Sequence, residues 1–270
     1  MWGWTFVLVK DAVTQYPTLP FLQIRFALAL LVMVVLVRRL PTGRELRIGL
    51  LIGGVLAAGY LTQTAGLALT SPGNAGLITG LFVVFTPLLN RIFGGAIHGW
   101  TWLATGLSLA GLVFLTGGPS GMGLGDLLVL ACAVLFALHI VLLGKWSPGL
   151  SAAPLAMVQM AACTLLFSAG GTWSLRPPSG SVWFAIVITG VFASALAFYI
   201  QTWAQGFISP NRTALILATE PAWALVAAVV LAGQRLGLVQ SIGAVLVLGA
   251  IVGHELASVK FEVHGQPSPP

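Results

Sequence analysis

The sequence predicts an all-α membrane protein of ten transmembrane helices, arranged as two five-helix repeats of inverted orientation. Three observations lead there. Hydrophobic residues make up 58% of the 270 and charged residues 7%, against roughly 25% charged in an ordinary globular chain. So few charges cannot cover a water-facing surface. The apolar residues also fall into ten continuous runs without alternation, which suits membrane helices and not barrel strands. Finally, a short motif recurs at an offset of 138 residues (201 − 63). A soluble enzyme, a nucleic-acid-binding domain and a disulfide-stapled secreted module are excluded on composition. The formal charge of +6 is not a nucleic-acid signal, because the basic residues sit between apolar runs and not along one face.

The first run, 2–16, holds Trp4, Lys10 and Asp11. Its length gives only about 22 Å of helix, so it is either a half-length helix or the remainder of one that starts upstream of Met1; the sequence favours the second. The run 20–37 carries Arg25 at depth and leads into Arg38, Arg39, Arg44 and Arg47. Runs 47–69 and 73–93 contain Tyr60 and Gln63, then Asn74, with Ser71-Pro72 between them. The run 100–117 completes the first repeat, 1–117. A glycine-rich connector follows at 118–123. The second repeat, 124–257, comprises the runs 124–144 (with His139), 151–171 (with Gln159), 181–207 (with Tyr199, Gln201 and Trp203), 211–232 (with Glu220-Pro221) and 238–256. Residues 258–270, ending in Pro267, Pro269 and Pro270, read as a disordered cytoplasmic tail.

Orientation follows from the distribution of Lys and Arg in short loops. With the N-terminus inside, cytoplasmic loops hold Arg38, Arg39, Arg44, Arg47, Arg91, Lys145 and Arg212, with Lys260 in the tail; the opposite loops hold Arg176 and Arg235. Both termini are therefore expected in the cytoplasm.

The repeat is carried by Gln63-Thr64 with Ser71-Pro72 and by Gln201-Thr202 with Ser209-Pro210, continuing at Leu77/Leu215 and Ile78/Ile216. Gly106 and Gly111 are answered by Gly243 and Gly249, and Pro87 by Pro221, displaced by four residues. Serine caps a helix start and proline fits its first turn, so both motifs open a helix in the same way. Five spans separate the copies. Five is odd, so the copies lie upside down relative to each other, a construction that many secondary transporters use around a midplane site.

Trp2-Gly3-Trp4-Thr5-Phe6 with Lys10, FLQIRFA at 21–27, LTSPGNAGLITGLFVVFTPL at 69–88, Gly125-Asp126-Leu127-Leu128, Phe136-Ala137-Leu138-His139, and ISPNRTALILATEP at 208–221 form an ordered set along the chain. In that order these stretches resemble the EamA family of the drug/metabolite transporter superfamily. The resemblance implies ten helices in two inverted repeats, both termini cytoplasmic in a cell membrane such as the bacterial inner membrane. It also implies export of amino acids or related small metabolites. Two departures are visible: Gly233-Gln234-Arg235-Leu236 stands where the family often has Gly-Glu-Arg-Leu, and Gly94-Gly95-Ala96-Ile97 also lacks an acid.

Ionisable groups within a bilayer are costly, so each is a functional candidate. Lys10 and Arg25 could attract an anionic group of a solute in a central cavity, or anchor helix ends, or pair with Asp11 or Glu220. Glu220 could carry a proton, or satisfy backbone groups freed by Pro221. Asp126 complements the dipole of its helix start. Tyr60, Gln63, Asn74, His139, Gln159, Tyr199 and Gln201 could line a polar path or join helices by hydrogen bonds. Trp4 and Trp203 could stack on an aromatic or cationic ligand, whereas Trp100, Trp102 and Trp183 belong at the interface.

Pairs such as Gly49/Gly53, Gly76/Gly80 and Gly249/Gly253 have the spacing that allows close helix contact. Cys132, Cys163 and the histidines at 98, 139, 254 and 264 show no metal-ligand spacing, so no metal or cofactor is expected. Gly144-Lys145-Trp146 is not a phosphate loop, and ATP-driven transport is not supported. The expected partners are the lipid bilayer and a small-molecule substrate, and a monomer is compatible with the pattern. The competing reading, an intramembrane lipid-modifying enzyme, would want paired acids or a nucleophile beside a histidine; the sequence offers neither, and a carrier without catalytic residues is expected.

Overall fold

A computed structural model of the chain describes residues 2–94, 99–116, 121–170 and 178–265. Arg176, His98 and the prolines of the C-terminal end lie outside the described residues. Among those described the chain is helical, with no strand. Helices α1 to α13 span Trp2–Gln15, Thr18–Leu36, Gly43–Leu69, Pro72–Thr79, Phe82–Ile92, Gly99–Leu115, Leu124–Trp146, Ala152–Gly170, Gly180–Val187, Ala197–Ala204, Pro210–Leu217, Glu220–Val230 and Leu238–Gly265. A π-helical stretch, Ile188–Leu196, joins α9 to α10. Among the described residues six helical segments are long and apolar enough to cross a bilayer: Thr18–Leu36, Gly43–Leu69, Pro72–Ile92, Leu124–Trp146, Ala152–Ala169 and Gly180–Ala204. Shorter apolar helices cover Trp102–Leu115, Glu220–Val230 and Leu238–His254. Leu31, Val35, Leu165, Phe184, Trp223 and Val245 are among many large apolar side chains left on the outside, where hydrocarbon and not water is the fitting solvent.

Helix starts follow the local chemistry of the sequence. Thr42 and Glu45 form a reciprocal cap on α3, the Thr42 hydroxyl accepting from the Glu45 amide and the Glu45 carboxylate from the Thr42 amide. Ser71 accepts from the Asn74 amide at the start of α4, and Ser209 from the Arg212 amide at the start of α11. The two Ser-Pro motifs therefore act alike. At the other end of the chain α13 runs from Leu238 to Gly265, with no helix breaker between Ser258 and His264.

Two apolar runs are interrupted where the sequence shows no single obvious cause. The run 73–93 breaks between α4 and α5 at Gly80-Leu81, where the backbone tightens into bonds from Leu81 to Ile78 and from Val83 to Gly80. Pro87 lies inside α5 without breaking it. The run 211–232 breaks between α11 and α12 at Ala218-Thr219, with Pro221 in the first turn of α12. α4 packs against α12 and α5 against α11, so the two broken helices run antiparallel. Their breaks touch: a Cβ at Gly80 would lie 2.6 Å from Pro221 Cγ, and one at Gly76 would strike Ala224.

Glycines set the other close contacts. Gly49 and Gly53 of α3 meet Val158 and Ala162 of α8, while Gly111 of α6 lies against Gly243 and Val247 of α13. Gly249 and Gly253 meet nothing within 4 Å among the described residues. The buried core runs through Phe21, Leu22, Phe26, Met33, Leu56 and Leu67 on one side and Val129, Ala133, Met160 and Ala195 on the other.

Charge separates the two ends of the bundle. At one end Glu45 at the start of α3 accepts from the Ser151 amide beside α8, and Lys145 at the end of α7 donates to Phe93 O after α5. Arg38, Arg39, Arg44, Arg47 and Arg91 belong to this end. At the opposite end Lys10 donates to Leu67 O and Ala68 O, Thr70 to Asp126, and the Gly73 amide to Gln234.

A cavity where the two halves meet

The candidate site is built from helical stripes. Trp2, Thr5, Phe6 and Val9 share one face of α1, Tyr60, Gln63 and Leu67 one face of α3, and Phe136, His139 and Ile140 one face of α7. With Arg25, Phe82, Phe198, Gln201, Leu217 and Glu220 they enclose a central cavity of about 50 Å³. That is room for a few water molecules. It adjoins a wider, mostly apolar fissure of about 590 Å³, with Trp2, Gln201, Leu217 and Glu220 on the boundary of both. Trp4, Ile200, Ile216, Trp223 and Val226 line the fissure.

Arg25 is buried at 3% exposure. Its Nε–H donates to Ser194 Oγ at 3.0 Å, and its guanidinium carbon lies 4.6 Å from the Tyr60 ring centroid and 5.4 Å from that of Phe26. A cation this deep needs such company, since a hydrogen bond and aromatic faces replace part of its lost hydration. Ser194 is supplied by the π-helical stretch, and Gly190 in that stretch approaches Arg25 O so closely that a Cβ there would lie 2.9 Å from it. The same stretch offers Ala193 O to Trp2 Nε1 at 2.7 Å. One irregular segment thus holds both a cavity cation and a cavity aromatic, a use of π-helix that recurs at functional sites.

Behind the cavity wall runs a buried polar chain. His139 Nε2 meets Gln159 Oε1 at 2.9 Å, and Gln159 Nε2 donates to Thr202 Oγ1 at 3.2 Å. A second chain passes from Gln201 Nε2 to Gln205 Oε1 and from Gln205 Nε2 to Ile140 O. Gln63 Nε2 reaches Thr79 Oγ1 at 3.5 Å, beside the break in the α4–α5 helix. Phe198 packs edge-on to both His139 and Tyr60.

Of the residues singled out from the sequence, the structure brings Arg25, Tyr60, Gln63, His139, Gln201 and Glu220 to the cavity. Gln159 stands one hydrogen bond behind it, and Trp4 faces the fissure. Lys10 is tied to the last carbonyls of α3, where a cation complements the helix dipole. Asn74 lies in the first turn of α4. Tyr199 and Trp203 fall on other faces of their helix, Trp203 packing on Phe207 at the exposed surface. Trp2, Ser194, Phe136 and Phe198 were not among the sequence candidates. The helical spacing of Trp2, Thr5, Phe6 and Val9 was the signal that could have chosen Trp2 over Trp4. Among the described residues no group of three or more His, Cys, Asp or Glu side chains could hold a metal ion.

Comparison with known proteins agrees with this architecture. A protein of Archaeoglobus fulgidus named as an uncharacterized transporter is 30% identical over 255 residues, covering 93% of this chain and 81% of that protein. The Escherichia coli K12 protein named as the uncharacterized inner membrane transporter YedA is 25% identical over 264 residues, covering 93% and 86%. A solved crystal structure superposes with a TM-score of 0.71 over 95% of this chain and 94% of that one, at 19% identity, which speaks to fold alone. The EamA-like transporter family matches residues 1–117 and again 123–254. With two matches that between them take in nearly every helix, the protein is a multi-pass membrane protein belonging to the EamA-like transporter family.

Proposed function

We propose that the protein is a secondary transporter that exports an amino acid or a related small metabolite by alternating access. Its solute sits where the central cavity opens into the wider fissure, with Arg25 receiving the carboxylate and Glu220, on the boundary of both spaces, facing the opposite pole. The single observation that carries this reading is the convergence of Arg25 from the first half and Glu220 from the second on one cavity. A solute bearing both signs of charge answers both residues, where a purely apolar solute would leave them desolvated and unused.

The reading includes ten spans in two inverted repeats, 1–117 and 124–257. Its support is the way contacts exchange between the halves. α1 packs on α12 as α7 packs on α5, while α4 with α12 and α5 with α11 form one antiparallel pair. Broken helices at the centre of a membrane bundle are where transporters place their solutes. Both termini are assigned to the cytoplasm, because the end gathering Arg38, Arg44, Arg47, Arg91 and Lys145 is the basic one.

The test is flux in proteoliposomes against a panel of labelled amino acids and small metabolites, with and without a pH gradient. Saturable counterflow of a zwitterion, lost in Arg25→Ala, supports the proposal. Transport that is unchanged in Arg25→Ala, or no solute moved while the protein remains folded, would overturn it.

A further inference from the structure

We propose that the turn between α2 and α3 is a binding site for anionic phospholipid headgroups. Arg38, Arg39, Arg44 and Arg47 fall within ten positions of one another. Glu45 is the one acid between Asp11 and Asp126 in the sequence, and its carboxylate is fully occupied. Oε1 accepts from Arg39 Nη2 at 2.6 Å and from the Ser151 amide at 3.0 Å; Oε2 accepts from Arg39 Nη1 at 3.0 Å and from the Thr42 amide at 2.8 Å. Glu45 is 2% exposed. It therefore neutralises Arg39 and nothing else.

What remains is a cluster of three exposed cations, Arg38, Arg44 and Arg47. Arg44 and Arg47 stand three residues apart on α3 and share a face. Around them Leu36, Leu40, Leu46 and Leu50 are exposed, Leu40 at 86%. Leucines left outside beside guanidinium groups place this turn at the boundary of hydrocarbon and headgroup, where a phosphate and its acyl chains meet both kinds of surface at once. Arginine's planar fork suits phosphate oxygens better than a point charge does. A free phosphate would satisfy the arginines but leave the leucines without a partner, so the lipid is the occupant the surface fits.

The experiment uses the full chain in nanodiscs of phosphatidylcholine alone or mixed with phosphatidylglycerol, reading retained lipid by native mass spectrometry and the thermal unfolding midpoint. Wild type should retain phosphatidylglycerol in preference and unfold at higher temperature in its presence. The triple variant Arg38→Gln/Arg44→Gln/Arg47→Gln should bind it about a hundredfold more weakly at low salt, roughly fivefold per arginine. Arg235→Gln, at the opposite end, should leave retention unchanged. The single Arg44→Gln carries the same test at a roughly fivefold loss if the triple variant does not fold. Equal retention of the two lipids, an equal loss in Arg235→Gln, or displacement of the lipid by millimolar inorganic phosphate would overturn the proposal.

Discussion

The Arg25 guanidinium lies over the ring of Tyr60, 4.6 Å from its centroid, with its Nε–H given to Ser194 across the bundle. Three separate parts of the chain thus meet at one cation: α2, α3 and the π-helical stretch. The arrangement depends on a flat cation with a donor in a fixed direction, properties that lysine lacks.

Arg25→Lys should therefore fail where a simple charge requirement would be met. Losing charge-assisted hydrogen bonds costs about 1.5–3 kcal/mol, or roughly ten- to hundredfold in apparent solute affinity. Counterflow assays of Arg25→Lys beside Tyr60→Phe measure this. Wild-type affinity in the lysine variant would mean that only charge is read.

Glu220→Gln keeps the shape of the side chain while removing its ability to give up a proton. Exchange of solute across the membrane without a gradient should persist but with weaker apparent affinity, since the amide still accepts a hydrogen bond from the solute without its charge, and the response of net flux to an imposed pH gradient should disappear. An intact response would assign coupling to another group.

At the crossing of α4 and α12 there is no room for a larger side chain at Gly76, whereas Gly249 meets nothing. Gly76→Val should lower stability by about 1–3 kcal/mol through overpacking. Gly249→Ala should be neutral or raise stability by up to about 1 kcal/mol, the difference in helix propensity. Thermal unfolding of the two purified variants separates them; equal midpoints would contradict the packing described.

Gln159 joins His139 to Thr202 in a setting with no exposed surface of its own. Replacing it with leucine strands both partners, at about 1–3 kcal/mol for each unsatisfied group. Gln159→Glu keeps the acceptor facing His139 and should be better tolerated than leucine in the same unfolding measurement.

Much of the fold was legible because membrane helices leave a long, continuous signature. The starts at Ser71 and Ser209 could be read from capping chemistry alone, and Gly49/Gly53 met a neighbour as their spacing suggested, whereas the run read from residue 47 begins earlier, at the Thr42 cap. The π-helical stretch could not be read. It meets Trp2 and Arg25 from across the bundle, and no local pattern in Ile188–Leu196 records those contacts. Nor did Pro87 announce that the break would fall at Gly80. Pro87 leaves only the carbonyl of Val83 without its usual N–H partner, and α5 runs on through it. Among the site residues, Arg25, Tyr60 and Glu220 stood out as chemically costly. Lys10 was just as costly, yet its length lets it reach the α3 carbonyls, an outcome that residue type alone does not distinguish.

The contact of Gly80 with Pro221 has a mechanical side. Two interrupted rods that touch at their interruptions share a fulcrum: a tilt of either half-helix about that point must press on its antiparallel mate. Levers coupled in this way cannot swing independently. In the alternating-access cycle proposed above, opening at one face of the bilayer would then be linked to narrowing at the other about the contact of Gly80 with Pro221, where a Cβ has no room.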